Sequence, residues 1–221
     1  MTSLAVRLHD IDGARPALIT VRALTMAGWS GRDATAVQAH IGELAEIGVK
    51  PPATTPIAYR VAAARLTTAA RIEVVGDGTS GEAEFVLLRH EDRLWVGAGS
   101  DHTDRALEEH GITWSKQVCD KPICPDFWPL AEVAGHWDRL HLTAEADGTP
   151  YQAATLASLL PPDALLKKLG ALEEGDVLFG GTVPVIGGVR PAVRFAFALT
   201  DPIRGRALRH AYAVEALPIA G

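Results

Sequence analysis

The chain has 221 residues, 48% apolar and 22% charged, with 21 lysines and arginines against 27 aspartates and glutamates for a net charge of −6. That is enough apolar sequence to bury a core, and there is no basic cluster to neutralise a row of phosphates, which excludes a disordered chain and a nucleic-acid binder. The start, "MTSLAVRLHDID", lacks a basic stretch followed by an apolar one, and no run reaches the roughly 20 residues of a membrane span, so one cytoplasmic domain over residues 1–221 is expected, with no membrane partner.

Period-2 alternation dominates the pattern. Leu4, Val6 and Leu8 share one face of a first strand, and after the turn "DIDGARP" the run "ALITVRALTMAGW" reads as one further strand. A helix follows over "RDATAVQAHIGELAEIG", capped by Asp33, with Val37, Ile41 and Leu44 as its apolar stripe and Gly48 as its stop. "GEAEFVLL" and "RLWVGAG" read as strands. Cys119 and Cys124, the only cysteines, lie in "VCDKPICP" with no CxxC or His pair nearby, so they read as reduced, packed thiols. A second helical stretch covers "TLASLLPPDALLKKLG", broken at Pro161 and Pro162, and "VRFAFALT" turns through "DPIRG" into "RALRHAYAVEAL" as a hairpin. The sum is a β-rich α+β fold without βαβ alternation. GxxxxGK[ST] and HExxH are missing, which excludes P-loop and zincin chemistry, and without βαβ alternation the GxGxxG spacing at 76–81 does not make a dinucleotide site.

Two groups of residues carry chemistry. Glu82 and Glu84 stand two apart on a strand, so they project from one face about 7 Å apart. Asp101 follows seventeen positions after Glu84, at the end of the next apolar strand. Three carboxylates without cysteine or histidine form an all-oxygen donor set suited to Mg²⁺ or Mn²⁺, and the same spacing also suits a solvated strand face. On the first helix His40 and Glu43 are i, i+3 neighbours. A glutamate there can fix the imidazole tautomer and leave the other nitrogen to take a proton from water, or the two can be an ordinary surface pair.

In order along the chain these residues resemble the fumarylacetoacetate hydrolase family, and within it the DUF2848 branch, over about residues 28–199. "GRDATAVQAHIGEL" is similar to the family's HxxE helix, which implies a catalytic dyad of His40 and Glu43. "GEAEFVLL" is similar to its ExE strand and "SDHTDRALE" to its DxxxRDxQ segment. That implies Glu82, Glu84 and Asp101 as ligands of one Mg²⁺ or Mn²⁺ per chain, and Arg105 and the residue at 108 as substrate-binding. Where the family has aspartate and glutamine after that arginine, this chain has Ala106 and Glu108. "WSKQ" puts Lys116 at a catalytic position, "LHLTAEADGTPYQ" puts Gln152 in the place of a family glutamine, and "EEGDVLFGGTVPVIGG" resembles the GDxxxTGTPxGxG loop, with Gly181 and Thr182 lining the substrate site.

The resemblance implies the family's mixed β-sandwich roll and a hydrolase that cleaves a C–C bond in a small diketo acid of the acylpyruvate or fumarylacetoacetate kind. Its alternatives are a metal-dependent decarboxylase, isomerase or hydratase of an oxo-acid, and a non-catalytic small-acid-binding member. Exposed β edges and the family habit imply a homodimer.

Overall fold

The computed structural model describes residues 2–46 and 51–220, and within the first helix the side chains of His40 and Leu44 also lie outside what is described. In chain order the elements are β1 (Thr2–Asp10), β2 (Gly13–Val21), β3 (Ala23–Gly28), α1 (Ala34–Glu46), β4 (Ile57–Val61), β5 (Leu66–Thr67), β6 (Arg71–Val75), β7 (Thr79–Ser80), β8 (Ala83–His90) and β9 (Arg93–Ser100). They continue with β10 (Thr103–Asp104), α2 (Arg105–Glu108), α3 (Ile112–Gln117), β11 (Lys121–Pro122), β12 (Asp126–Pro129), α4 (Leu130–Val133), β13 (His141–Ala146), β14 (Thr149–Thr155), α5 (Pro162–Leu169), β15 (Asp176–Thr182), β16 (Arg194–Asp201) and β17 (Arg206–Leu217).

Leu4, Val6 and Leu8 are buried along β1, which forms a hairpin with β2. The run read as a single second strand is two. β2 stays beside β1, whereas β3 pairs parallel with β15 and antiparallel with β4. Arg22 is the corner between them. Its backbone N–H donates to Gly175 O at 2.8 Å and its guanidinium to Asp176 at 2.6 Å, anchoring the chain where it changes direction. Asp33 caps α1 by accepting from the N–H groups of Thr35 and Ala36 at 2.9 and 3.1 Å, and Gly48, the proposed stop, lies outside the described residues. Pro162 begins α5, and the β16–β17 hairpin forms as the alternation indicates. Both thiols are free and buried, and burial, the largest effect, pushes each up to about 11.

Eight strands form a curled mixed sheet in the order β2-β1-β12-β9-β8-β15-β3-β4, and five form a second sheet in the order β14-β13-β16-β17-β6. Alternate residues of β8 serve two different cores. Phe85 and Leu87 pack with Leu142, Phe195 and Leu199 between the sheets, while Val86 and Leu88 pack with Trp95, Phe127 and Phe179 inside the curl. A sheet apolar on both faces explains why β8 and β9 read as unbroken apolar runs. At Gly99 a Cβ would come within 2.6 Å of the Phe179 ring, so the close approach inside the curl requires glycine. Among the described residues no helix is long and apolar enough to cross a membrane.

Phe85 is the test of this two-core arrangement. It is fully buried, meets Trp137 edge-on with ring centroids 5.0 Å apart, and covers Gly180. Phe85→Ala is expected to cost about 3–5 kcal/mol in denaturant unfolding, whereas Leu18→Ala, 70% exposed on β2, should stay within about 0.5 kcal/mol.

Candidate metal centre and active-site cavity

The β8–β9 register assembles the carboxylates. Ala83 faces Ser100 across the antiparallel ladder, so the step beyond sets Glu82 opposite Asp101, whose backbone N–H donates to Glu82 O at 2.9 Å. Glu84, opposite Gly99, shares the inner face with Val86 and Leu88. One carboxylate oxygen from each of Glu82, Glu84 and Asp101 lies within 4.8 Å of the others. Residues seventeen and nineteen apart in sequence are thereby brought to one place by a hairpin.

Cations from three later positions answer this charge. Lys116 of α3 donates to Asp101 Oδ2 and sits 4.0 Å from Glu82, and Lys121 Nζ is 3.0 Å from Asp101 Oδ1 while donating to His102 O. Arg105 of α2 is 3.2 Å from Glu82, donates to Glu108 at 3.0 Å and donates to Ser80 Oγ at 2.7 Å. Burial opposes ionisation of Asp101, but the charges of Lys116 and Lys121 outweigh it and hold its carboxyl at about 2. Lys116 is likewise buried, yet Asp101, Glu82 and Glu84 raise its pKa and keep it protonated. Lys121 is pushed down by burial and by Lys116, against the pull of Asp101.

Glu84 behaves differently. Burial first, then Asp101 and Glu82, push its pKa well above the usual carboxylate range, with Lys116 and the Gly181 N–H opposing. That N–H donates to Glu84 Oε2 at 2.7 Å. Gly181 is irreplaceable in this pose: its φ is +107° and a Cβ would lie 1.8 Å from Ser30 Oγ. Gln152 ties the same end of β15 to β8. Its amide donates to Thr182 Oγ1 and Val183 O at 2.6 and 2.7 Å and its oxygen accepts from Ala83 N at 2.8 Å, while Thr182 Oγ1 donates to Ala83 O at 2.9 Å.

These residues fit a hard divalent cation. The donors are all oxygen, like charges oppose one another, one carboxyl is held up in pKa by its neighbours, and Asp101 Oδ1 is buried without a hydrogen bond despite the nearby Lys121 charge.

Above the carboxylates lies a cavity of about 950 Å³, reached by Glu82, Glu84, Arg105, Glu108, Lys116, Gly181 and Thr182, with Asp101 sealed beneath. These eight expected site residues therefore meet. The remaining two are on α1: Ala36 and Val37 line the cavity one turn before His40, whose side chain lies outside the described residues, and Glu43 is exposed. The neighbours of Asp101 are structural. His102 is held between Tyr212 Oη and Thr79 Oγ1 at 2.9 and 2.8 Å, and burial with the charges of Lys121 and Arg105 lowers its pKa to about 3, so it is neutral. Thr103 Oγ1 donates to Asp101 O at 3.0 Å, and Asp104 caps α2 through Leu107 N–H. Lys121 escaped the sequence reading because its segment, "VCDKPICP", was read for its cysteines.

The model of a family described as "Protein of unknown function (DUF2848)" matches residues 27–212. No curated protein matches the chain. Among solved structures, fumarylpyruvate hydrolase from Pseudomonas aeruginosa in complex with Mn²⁺ and pyruvate is similar at a TM-score of 0.63 and 19% identity, covering 98% of each chain. A fumarylacetoacetate hydrolase family protein from yeast is similar at 0.66 and 16%, covering 90% of this chain and 95% of that one. 5-Carboxymethyl-2-hydroxymuconate delta-isomerase from Mycobacterium smegmatis is similar at 0.65 and 14%, covering 100% of both. The chain shares the fold of these proteins.

Two variants separate the roles of the carboxylates. Asp101→Ala strips the partner from two buried lysines, so it should abolish Mn²⁺ binding in calorimetry and also cost about 3–5 kcal/mol of stability. Glu84→Gln removes a buried like charge, so it should lose Mn²⁺ binding while the metal-free protein melts no lower than wild type. The pH dependence follows from the raised Glu84 pKa. The folded chain holds that proton more tightly than the unfolded one, so metal-free stability declines as pH rises from the usual carboxylate range to the native value and is level beyond it. Glu84 must release the proton to bind a cation, so Mn²⁺ affinity is expected to fall by up to about tenfold per pH unit below the native value. An affinity independent of pH in titrations across that range would contradict the assignment.

Proposed function

The chain belongs to the DUF2848 family, and from the all-oxygen carboxylate cluster at the floor of its cavity we propose that it is a divalent-metal-dependent enzyme acting on small oxo-acids, by hydrolytic cleavage of a C–C bond in a 1,3-diketo acid of the acylpyruvate kind. The observation that carries this reading is the pairing of Glu82, Glu84 and Asp101 with a lysine held protonated beside them. The complex of fumarylpyruvate hydrolase with Mn²⁺ and pyruvate supports it, because pyruvate is the product an acylpyruvate would yield.

Glu82, Glu84 and Asp101 would hold a divalent ion, Mg²⁺ or Mn²⁺, which would supply Lewis acidity to the oxygens of a 2-oxo carboxylate. Lys116 and Arg105 set positive charge beside the same oxygens, in a cavity whose low dielectric strengthens their pull on a developing enolate. His40, the base that the HxxE resemblance implies, takes a proton from water as the water oxygen adds to the far carbonyl carbon. The bond between that carbon and the methylene breaks, its electron pair moves into the enolate of pyruvate, and the proton returns to the methylene carbon. The products are a carboxylic acid and pyruvate.

Lys116 favours a second reading with the same site. A charged lysine beside the carboxylates stabilises an enolate however it arises, so decarboxylation of an oxo-acid uses the same site without the water-activating base, while isomerisation or hydration uses it with a base.

The test is pyruvate release from acylpyruvates by the Mn²⁺-loaded protein, read by coupled reduction to lactate. Hydrolysis predicts that His40→Ala lowers kcat by about 10²–10⁴-fold with little change in KM. Turnover that survives this substitution on an oxo-acid would favour the second reading.

A further inference from the structure

Arg105 shows the cavity a guanidinium whose three nitrogens are already engaged. Nε donates to Ser80 Oγ at 2.7 Å, Nη1 donates to Glu108 Oε2 at 3.0 Å, and Nη2 stands 3.2 Å from Glu82 Oε1. Two carboxylates thus share one cation. Because the guanidinium is planar and its N–H directions are fixed relative to one another, holding two of its nitrogens also sets where the third can reach.

The local sequence builds this arrangement. Asp104 caps α2 through Leu107 N–H, and the single turn that follows places Arg105 and Glu108 three residues apart on one side of the helix. Ser80 arrives on β7, where it faces Thr103 of β10, and Glu82 lies just before β8. Three segments therefore converge on one side chain.

Arg105 and Glu108 stand on the cavity lining with Lys116, Trp29 and Tyr59, so a bound anion would meet the pair and not the arginine alone. A ligand carboxylate reaching for Nη1 would have to displace Glu108, a charge of its own sign already at hydrogen-bond distance. A glutamine at 108, as in the family pattern, would leave the guanidinium charge to Glu82 alone.

We infer that Arg105 in this chain is a positioning residue for Glu82 and that Glu108 keeps it one: the guanidinium is locked between two glutamates and Ser80 and gives a bound acid no hydrogen bond. Arg105 then acts on the acid only as a charge at a distance, and the acid's carboxylate is left to the metal end of the site and Lys116. This inference rests on the oxo-acid reading above and specifies how its site receives the acid.

The experiment is calorimetric titration of oxalate, a chelating dicarboxylate, into the protein at saturating Mn²⁺, for wild type, Glu108→Gln and Glu108→Asp. Glu108 is 36% exposed, so neither replacement disturbs a core. Glu108→Gln removes the charge that holds Nη1. Glu108→Asp keeps that charge one methylene further back, and the arginine, tied at Ser80 and Glu82, cannot follow it. The expected result is that wild type binds oxalate, that Glu108→Gln binds it about tenfold more tightly and that Glu108→Asp binds it at least about threefold more tightly. A merely structural role for Glu108 would weaken binding in both variants. If Glu108→Gln gains nothing, the inference is overturned and the oxo-acid reading stands. If Glu108→Gln gains and Glu108→Asp does not, Glu108 acts through its charge alone and the lock is overturned. If Mn²⁺ binds and oxalate binds to none of the three, the oxo-acid reading fails and the inference falls with it.

Discussion

Mutual repulsion among Glu82, Glu84 and Asp101 is the constraint around which the surrounding structure is arranged. Three carboxylates within 4.8 Å of one another in a largely buried place would be untenable in isolation, since burial and like charge both favour protonation. The response is distributed over the chain. α2 supplies Arg105, α3 supplies Lys116, β11 supplies Lys121, and the C-terminal end of β15 supplies a backbone N–H. Short elements that contribute little to either core, α2, α3 and the paired β7 and β10, are explained by this one task. The compensation is uneven: Asp101 receives two lysines and ionises readily, while Glu84 receives one N–H and resists. The same three side chains therefore hold a range of proton affinities, which leaves the cluster short of positive charge where the cavity meets it.

The two-faced sheet is what carries this cluster into the interior. Because β8 and β9 are buried on both sides, their inner faces lead from the apolar curl directly to the carboxylates, without passing through solvent-facing sheet. Gly99, opposite Glu84 in the ladder, lets Phe179 close beneath the site. Packing and chemistry thus share a single strand pair.

The sequence was most informative where a local pattern and the tertiary role coincide. Two unbroken apolar runs joined by a short polar turn announce the β8–β9 hairpin, and its register alone brings Glu82 to Asp101. The Asp33 cap, the proline break before α5 and the terminal hairpin are equally local. What was illegible depends on distant partners. Nothing within "ALITVRALTMAGW" marks Arg22 as a corner, because its anchors, Gly175 and Asp176, lie at the far end of the chain. Lys121 is identified only by the carboxylate it meets, and its flanking cysteines drew the reading elsewhere. Glu108 stands in the family's glutamine position, yet it pairs with Arg105 across one helical turn. Spacing shows that such a pair can form, not that it does.

Trp29 occupies an unusual place among the five tryptophans. Trp95, Trp128 and Trp137 are buried in the cores and Trp114 is 73% exposed, whereas Trp29 stands in the wall of the cavity. The chain thus carries an indole where a ligand would displace water and alter the local field, against a background set by four that the cavity does not touch. Replacing Trp29 by phenylalanine would separate its emission from theirs, giving the cavity an intrinsic optical signal that needs neither a turnover assay nor an attached dye.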